Sequence, residues 1–257
     1  MKNLLLTGAL VLASFAVQGQ NVAVVDYMKV PGNKQEAYVA VEKQWKNLHQ
    51  SRVDAGVILG WELYYVRNSG SASPYNYVTV TVYENFAKTD ASFTNEDFEK
   101  AFGKNYAEFL TKTEAARELI YSETYQFQTG VSSDAPDKFI VVNSICTDNV
   151  DNYVNLEKVG YLPMHAEAKK AGLRNSWGIW TRWPNSDNAV QAVAVDGYSK
   201  FSDINNTNYN DLMDKVMAGK KPDEVFNMVA QVNKTESTRK IVKSEIWETL
   251  DVTTPKK

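Results

Sequence analysis

The chain has 257 residues, which is enough for one large domain or two small ones with a proper hydrophobic core. Its formal net charge is only −3 and no basic tract stands out, so nucleic acid is not an expected partner. The single cysteine excludes an intramolecular disulfide.

The first 19 residues have the pattern of a signal peptide. Lys2 supplies the positive start, and the apolar run from Leu4 to Val17 is too short to span a bilayer comfortably. We therefore expect an exported protein, periplasmic or secreted, whose mature part begins near Gln20. No later segment is apolar enough to cross a membrane, so no span is expected in the mature chain.

The first half of the mature chain predicts the element order βαββαβ. Apolar, β-branched runs predict strands, and apolar residues with a period near 3.6 predict helices. Gly56 is placed to end the first helix. The predicted elements are a strand over 22–30, a helix over 34–55, strands over 59–66 and 75–83, a mostly helical stretch over 93–117 and a strand over 118–127.

The second half repeats this order, with a strand over 139–146, a helix over 150–171, strands over 176–183 and 189–198, a helical stretch over 209–238 and a strand over 240–250. Residues 113–125 and 235–247 share the pattern T-E-x-x-R-x-[LI]-[IV]-x-S-E-x-aromatic, which we interpret as fold-defining. Such self-similarity indicates a duplicated unit. We predict two ferredoxin-like repeats, over 20–130 and 138–257, joined by a linker over 131–137.

The strand predicted over 75–83 alternates between two kinds of side chain. One face carries Val78, Val80 and Val82, and we predict that it packs against helices. The other face carries tyrosines and threonines, which suit the lining of a cavity or an interface between two sheets. If both units present such a face, each sheet can cover the other within one chain.

This combination of element order, duplication and face pattern resembles the dimeric α/β-barrel superfamily, with both halves fused in one chain. The resemblance covers nearly all of the mature chain and rests on no diagnostic motif. It implies an α+β fold in which tandem ferredoxin-like βαββαβ repeats form an intrachain α/β barrel. Members of the superfamily include cofactor-free monooxygenases, haem-degrading enzymes, chlorite dismutase-like and dye-decolourising peroxidases, and lactone isomerases. A fold shared by so many activities does not select one of them.

The two histidines of the chain occupy equivalent positions on the first predicted helix of each repeat. Glu42 and His49 fall within one sector of the helix that overlaps its apolar stripe, and Glu157 and His165 repeat the set. An imidazole beside a carboxylate can transfer protons near pH 7, so these four are the candidate catalytic residues. In the alternative interpretation the four residues are structural, and each glutamate pairs with an arginine. The repeat-matched partners are Arg117 and Arg239, with Glu114 and Glu236 as competing carboxylates.

Aromatic side chains form the candidate ligand-binding set. Such rings can stack on an aromatic ligand, although residues of this kind often belong simply to the core. The set consists of Tyr38, Trp61, Tyr75, Tyr77, Tyr153, Trp177 and Trp183.

The spacing of histidine and glutamate matches no recognised metal motif, so no metal site is predicted. We expect no cofactor; the alternative is haem, which some fused members of the superfamily hold through a helix histidine of their second half, and His165 is then the candidate ligand. The sequence does not specify an oligomeric state. Three functions stay open: binding of a small apolar or aromatic molecule in the barrel cavity, a structural or interaction role in the cell envelope without a ligand, and cofactor-free oxygenase, isomerase or haem chemistry.

Overall fold

The computed structural model describes residues 21–185 and 189–254. The predicted signal peptide over residues 1–19 lies outside these ranges, and its cleavage point stays a prediction. None of the helices in the described ranges combines the length and the apolar composition that crossing a membrane requires.

The first unit has the predicted order of elements. They are β1 (Val22–Lys29), α1 (Gln35–Asp54), β2 (Gly60–Val66), β3 (Tyr77–Tyr83), α2 (Phe86–Thr89), α3 (Asn95–Phe102), α4 (Tyr106–Ala116) and β4 (Glu118–Val131). The stretch predicted as mostly helical divides because α3 begins at a capping box between Thr94 and Asp97 and ends at Gly103, which has a φ of 77°. Gly56 follows α1 with a φ of 71°, as the sequence predicts.

The second unit follows the same plan. Its elements are β5 (Phe139–Cys146), α5 (Val150–Lys170), β6 (Ser176–Trp183), β7 (Ala192–Tyr198), α6 (Tyr209–Met217), α7 (Pro222–Thr238) and β8 (Lys240–Val252). The helical stretch predicted over 209–238 is interrupted between α6 and α7. Pro222 starts α7, where its missing N–H has no partner to lose in the first helical turn.

The strands close into one antiparallel barrel in the order β1-β3-β2-β8-β5-β7-β6-β4. Each unit contributes a ferredoxin-like sheet, and the two sheets join where β2 pairs with β8 and β4 pairs with β6. Because all neighbours are antiparallel, β1, β2, β5 and β6 run in one direction and the other four strands in the opposite one. Equivalent residues of the two units therefore lie at the same end of the barrel. The predicted α+β fold and intrachain barrel are confirmed.

Buried side chains pack on both faces of the barrel wall. Outside the first sheet, α1 and α4 cover a cluster that includes Trp61, Leu63 and Tyr77. Outside the second sheet, α5 covers a cluster that includes Trp177 and Ile179. The barrel interior holds a third cluster, composed of Ala23, Val25, Tyr27, Tyr64, Val66, Tyr75, Val78, Tyr125, Ile140, Val142, Val193 and Trp247.

The two faces of β3 are reversed relative to the prediction. Val78 and Val80 face the barrel interior, whereas Tyr77 and Tyr83 pack under the helices. The interior of an eight-stranded barrel is just wide enough for side chains or for one small ligand, so small valines there leave space along the axis. The larger tyrosine rings instead fill the gap between the sheet and α1.

Candidate ligand-binding site

A cavity of about 270 Å³ occupies the barrel interior and opens at the end where β4 leads into β5. Its walls combine small aliphatic side chains from several strands, such as Val80 and Val142, with the rings of Tyr64, Phe127 and Trp180. Mostly apolar concave sites with a few placed polar groups are the usual setting for small organic ligands. The size of this cavity suits a ligand with a single ring or a short chain.

Polar groups of the cavity gather near its open end. Glu62 projects from β2 and accepts a hydrogen bond from the Tyr64 hydroxyl. Asp137 accepts a hydrogen bond of 2.5 Å from the Ser176 hydroxyl, and its other oxygen, Oδ1, is buried without a partner in the described residues. Burial raises the pKa of Glu62; the bond from Tyr64 opposes this shift and the charge of Asp137 adds to it. Burial also raises the pKa of Asp137, against the bond from Ser176.

Tyrosines close the opposite end of the cavity. The Tyr27 ring lies 4.4 Å from the Tyr121 ring and 4.7 Å from the Tyr75 ring, measured between centroids. The Tyr75 hydroxyl donates to Glu245 at 2.6 Å. Burial raises the pKa of Tyr121 to about 12, with Glu123 as the next cause. These phenols are protonated at neutral pH and act as hydrogen-bond donors.

The repeated sequence motif supplies part of this interior. Its second glutamate is Glu123 in one unit and Glu245 in the other, and its final aromatic residue is Tyr125 or Trp247. Tyr125 and Trp247 line the cavity, and Glu123 accepts a hydrogen bond of 2.7 Å from the Tyr125 hydroxyl. The sequence indicates a duplicated, fold-defining motif but gives it no place in a binding site. Its S-E-x-aromatic ending places two residues on one strand face, but the sequence alone does not say which face turns inward.

The predicted ligand-binding aromatics fall in different places. Tyr75 belongs to the interior cluster at the closed end. Trp177 is among the residues at the open end of the cavity, but its ring stacks on His165 in the layer under α5. Trp183 is 59% exposed and does not line the cavity; its ring lies 5.8 Å from the Phe86 ring. The others are buried between sheet and helices: Tyr38, Trp61, Tyr77 and Tyr153. None of these four lines the cavity. Trp61 and Tyr77 lie on the strand face that is turned to the helices, opposite to the prediction, whereas Tyr38 and Tyr153 project from α1 and α5 toward the sheet.

His49 is enclosed in the helix–sheet layer of the first unit. Its ring stacks on Trp61 with centroids 5.2 Å apart, Phe93 meets it at 5.8 Å, and Nδ1 has no hydrogen-bond partner in the described residues. Burial, assisted by the charge of Arg52, lowers the pKa of His49 to about 3. The imidazole is therefore neutral at physiological pH, and it is not among the residues that line the cavity.

His165 is enclosed more tightly in the second layer. It is 3% exposed, its ring stacks on Trp177 with centroids 4.1 Å apart, and its Nδ1 contacts the Arg174 guanidinium. Burial lowers the pKa of His165 well below its ordinary value, and Arg174 and Arg239 add to the shift. This packing leaves no open position at the ring for an iron ion or a macrocycle. The residues around His165 therefore do not fit haem, and the predicted haem ligand is not supported.

Glu42 and Glu157 pair with the arginines that the structural interpretation names. Arg117 Nε lies 3.3 Å from Glu42 Oε1, and Arg239 Nη1 lies 2.5 Å from Glu157 Oε1. Both carboxyls are buried; burial raises the pKa of each glutamate to about 7, and the arginine charge opposes the shift. None of the four candidate catalytic residues lines the cavity. The structure therefore keeps them apart from the ligand-sized space.

A closed barrel built from two ferredoxin-like sheets is the fold of the dimeric α/β-barrel superfamily, here with both units in one chain. The resemblance inferred from the sequence is confirmed at the level of the fold.

Comparison with solved structures supports the same fold. No family model matches the chain, and no curated protein matches its sequence. Among solved structures, the chain is similar to a proposed monooxygenase from Lactobacillus acidophilus NCFM, with a TM-score of 0.53 and 12% identity over 92% of this chain and 97% of that one. A proposed monooxygenase from Fusobacterium nucleatum subsp. nucleatum gives a TM-score of 0.50 and 11% identity over 91% and 94% of the two chains. At such identities the likeness shows the fold alone.

Proposed function

We propose that this protein binds a small apolar or aromatic molecule inside its barrel. The observation that carries the proposal is the cavity of about 270 Å³ with its largely apolar walls and its opening at one end. Protein interiors are otherwise packed with few voids larger than a water molecule. An apolar cavity of this size that opens at one end of the barrel has the shape and lining expected of a site for a small ligand.

The positions of the histidines favour binding over histidine-based catalysis. A catalytic imidazole needs an open, ligand-sized space beside it. His49 and His165 are both covered by stacked aromatic rings, and both stay neutral because burial lowers their pKa values. Neither histidine lines the cavity, whose aromatic residues include Tyr64 and Trp247.

Binding can be tested with neutral aromatic probes that have one ring, namely 2-phenylethanol, toluene and p-cresol. A ligand that binds only the folded state raises its stability by about 1.4 kcal/mol at ten times its dissociation constant. We expect at least one probe to raise the melting temperature and to titrate by calorimetry with a single site. Failure of all three probes to bind would overturn the proposal.

Filling the cavity supplies the specific control. Val80→Trp places a large ring in the space that the ligand would use, and Val142→Phe does the same from another strand. We expect both variants to lose probe binding. Val242→Trp makes the same exchange as the first variant at a strand residue that is 48% exposed, and it should leave binding unchanged. Unaltered binding by folded Val80→Trp and Val142→Phe would place the probe elsewhere and contradict the proposal.

A second candidate function is proton transfer on the bound molecule, as in a cofactor-free oxygenase or isomerase. Glu62 favours it, because this carboxyl lies in the cavity, is held by the Tyr64 hydroxyl and has a pKa raised by burial. The test is to incubate a bound probe with protein in air and to analyse it by mass spectrometry and proton–deuterium exchange. Conversion or exchange that disappears in Glu62→Gln would establish this function; no change in the probe would reject it.

We also propose that binding takes place outside the cytoplasm, because residues 1–19 have the pattern of a signal peptide. N-terminal sequencing of the protein from cell fractions tests this location. A mature chain that begins near Gln20 in the periplasm or the medium is the expected result, and an uncleaved cytoplasmic chain would contradict it.

A further inference from the structure

We infer that the ligand of the cavity carries an ammonium group on its apolar body, and that Glu62 and Asp137 receive this group at the open end of the barrel. The inference rests on the proposed binding function and narrows it to a chemical class, small apolar amines. It follows from the unequal distribution of charge between the two ends of the barrel interior.

At the closed end, each interior carboxylate already has a cation of its own. Arg182 Nε lies 3.2 Å from Glu123 Oε1, and Lys243 Nζ lies 2.9 Å from Glu245 Oε1. Tyrosine hydroxyls satisfy further acceptor positions of the same carboxylates. The negative charges of Glu123 and Glu245 are therefore neutralised by cations of the protein itself, without a ligand.

At the open end, the carboxyls have no such cation. Within the described residues neither Glu62 nor Asp137 forms an ion pair, and the cavity lining contains no lysine, arginine or histidine. Lys169, whose charge acts on Asp137, is itself bound at 3.0 Å to Asp134 and to the Ser132 carbonyl. Among the described residues no group donates to the buried Asp137 Oδ1 with ordinary hydrogen-bond geometry, which is an unusual position for a carboxylate oxygen. The nearby Asn175 side chain acts on this carboxyl but carries no charge to balance it.

The two carboxyls are held close to one another by the intervening strand. Thr249 of β8 donates from its hydroxyl to the Asp137 carbonyl at 2.6 Å, and it also contacts the Tyr64 hydroxyl that binds Glu62. A ligand with three N–H donors can satisfy both carboxyls at once, and a positive charge removes their mutual repulsion.

The rest of the cavity suits the other half of such a molecule. Phe127 and Trp180 contribute aromatic rings near Gly178 at the open end, and aromatic rings attract ammonium groups as well as apolar rings. An anionic ligand would instead meet two carboxyls and no cation. The order of affinity expected from this arrangement is amine, then neutral isostere, then carboxylate.

A matched series tests the inference: 2-phenylethylamine, 2-phenylethanol and phenylacetate, titrated by calorimetry at pH 7. We expect the amine to bind about tenfold or more tightly than the alcohol, and phenylacetate to bind weakest. Glu62→Gln and Asp137→Asn should each remove most of the preference for the amine while changing the affinity for the alcohol about twofold or less.

Glu84→Gln provides the control for a general effect of charge. It removes one negative charge at the same end of the barrel, just after β3, but Glu84 is exposed and does not line the cavity. The preference for the amine should persist in this variant. Equal affinity of the wild-type protein for amine and alcohol would overturn the inference and leave the binding function standing. Loss of binding for all three compounds would instead reject the binding function itself.

Discussion

The helix–sheet layers of the two units use equivalent positions of the fold but enclose their histidines in different ways. In the first layer Ile58, Thr81 and Phe93 occupy the positions around His49, and the nearest charge is that of Arg52. In the second layer the equivalent residues, 115 or 116 positions later, are Arg174, Asp196 and Tyr209. Arg174 contacts His165 and forms an ion pair with Asp196 at 2.6 Å. It is 4% exposed.

The comparison teaches that a buried charge enters a packed layer only together with its partners. Removing charges from water costs several kcal/mol per ion, and this cost is offset only where the remaining donors are satisfied. Arg174 meets most of that condition, because its Nη2 also donates to the hydroxyls of Tyr198 at 3.0 Å and Tyr209 at 2.9 Å. Its Nε is buried without a hydrogen-bond partner in the described residues. The first layer has neither the arginine nor the aspartate at the equivalent positions. Its own buried arginine, Arg52, donates to the Ala91 carbonyl at 2.9 Å and lies over the Phe93 ring.

Transplanting one residue of the first layer into the second should have the largest effect. Asp196→Thr copies Thr81 and leaves Arg174 buried without its carboxylate, so we expect a loss of about 3–5 kcal/mol in the free energy of unfolding, measured with urea. The double variant Arg174→Ile/Asp196→Thr copies both positions and should recover most of this loss. A double variant no more stable than Asp196→Thr alone would show that the two layers are not interchangeable.

The two layers share a buried glutamate with a raised pKa, Glu42 in the first and Glu157 in the second. Burial raises the pKa of Glu42 and Glu157 to about 7 in the folded protein, from an ordinary value of 4.5. The folded state then binds more protons than the unfolded state between these values. The stability contributed by each group is present at low pH and is lost as the pH rises from about 4.5 to 7, by up to about 1.4 kcal/mol per pH unit.

Glu42→Gln and Glu157→Gln should each flatten this part of the stability–pH profile, by similar amounts. Urea unfolding at several pH values measures the slope. Glu114→Gln, at an exposed position of the repeated motif, should leave it unchanged. A profile that is the same in all four proteins would mean that the buried carboxyls ionise as they do in the unfolded chain.

Exchange of the histidines should give the smallest effect and should separate the layers again. His49→Phe removes a buried Nδ1 that has no partner, so stability should stay equal or rise by about 1 kcal/mol. His165→Phe removes the group that Arg174 contacts, and we expect a loss of about 1–2 kcal/mol. Thermal and urea unfolding compare the two variants. Equal effects at both positions would contradict the difference between the layers.

The sequence was sufficient for the fold because duplication doubles every local signal. Strand and helix patterns that are ambiguous once become reliable when they recur in the same order, and Gly56 and Gly172 mark the ends of equivalent helices with φ values of 71° and 68°. The pairing of Glu42 with Arg117 could also be anticipated, since both residues recur in the second unit.

The site could not be predicted in the same way. Alternation along β3 separates valines from tyrosines but does not say which set turns toward the barrel axis, and a wrong choice places strand residues such as Tyr77 on the wrong face. Glu62 and Asp137 have no acidic counterpart in the other unit, so the duplication does not mark them as candidates. Only closure of the barrel brings them to one opening.

Fusion of the two units lets the walls of the barrel evolve separately. Glu62 on β2 corresponds to Gly178 on β6, 116 residues later, and both residues line the cavity. Two identical subunits would repeat the carboxyl of β2 at the equivalent position of β6. In this chain β2 keeps its acid and the copied position on β6 is a glycine, so the second carboxyl of the entrance comes instead from Asp137, which is bound to Ser176 of β6.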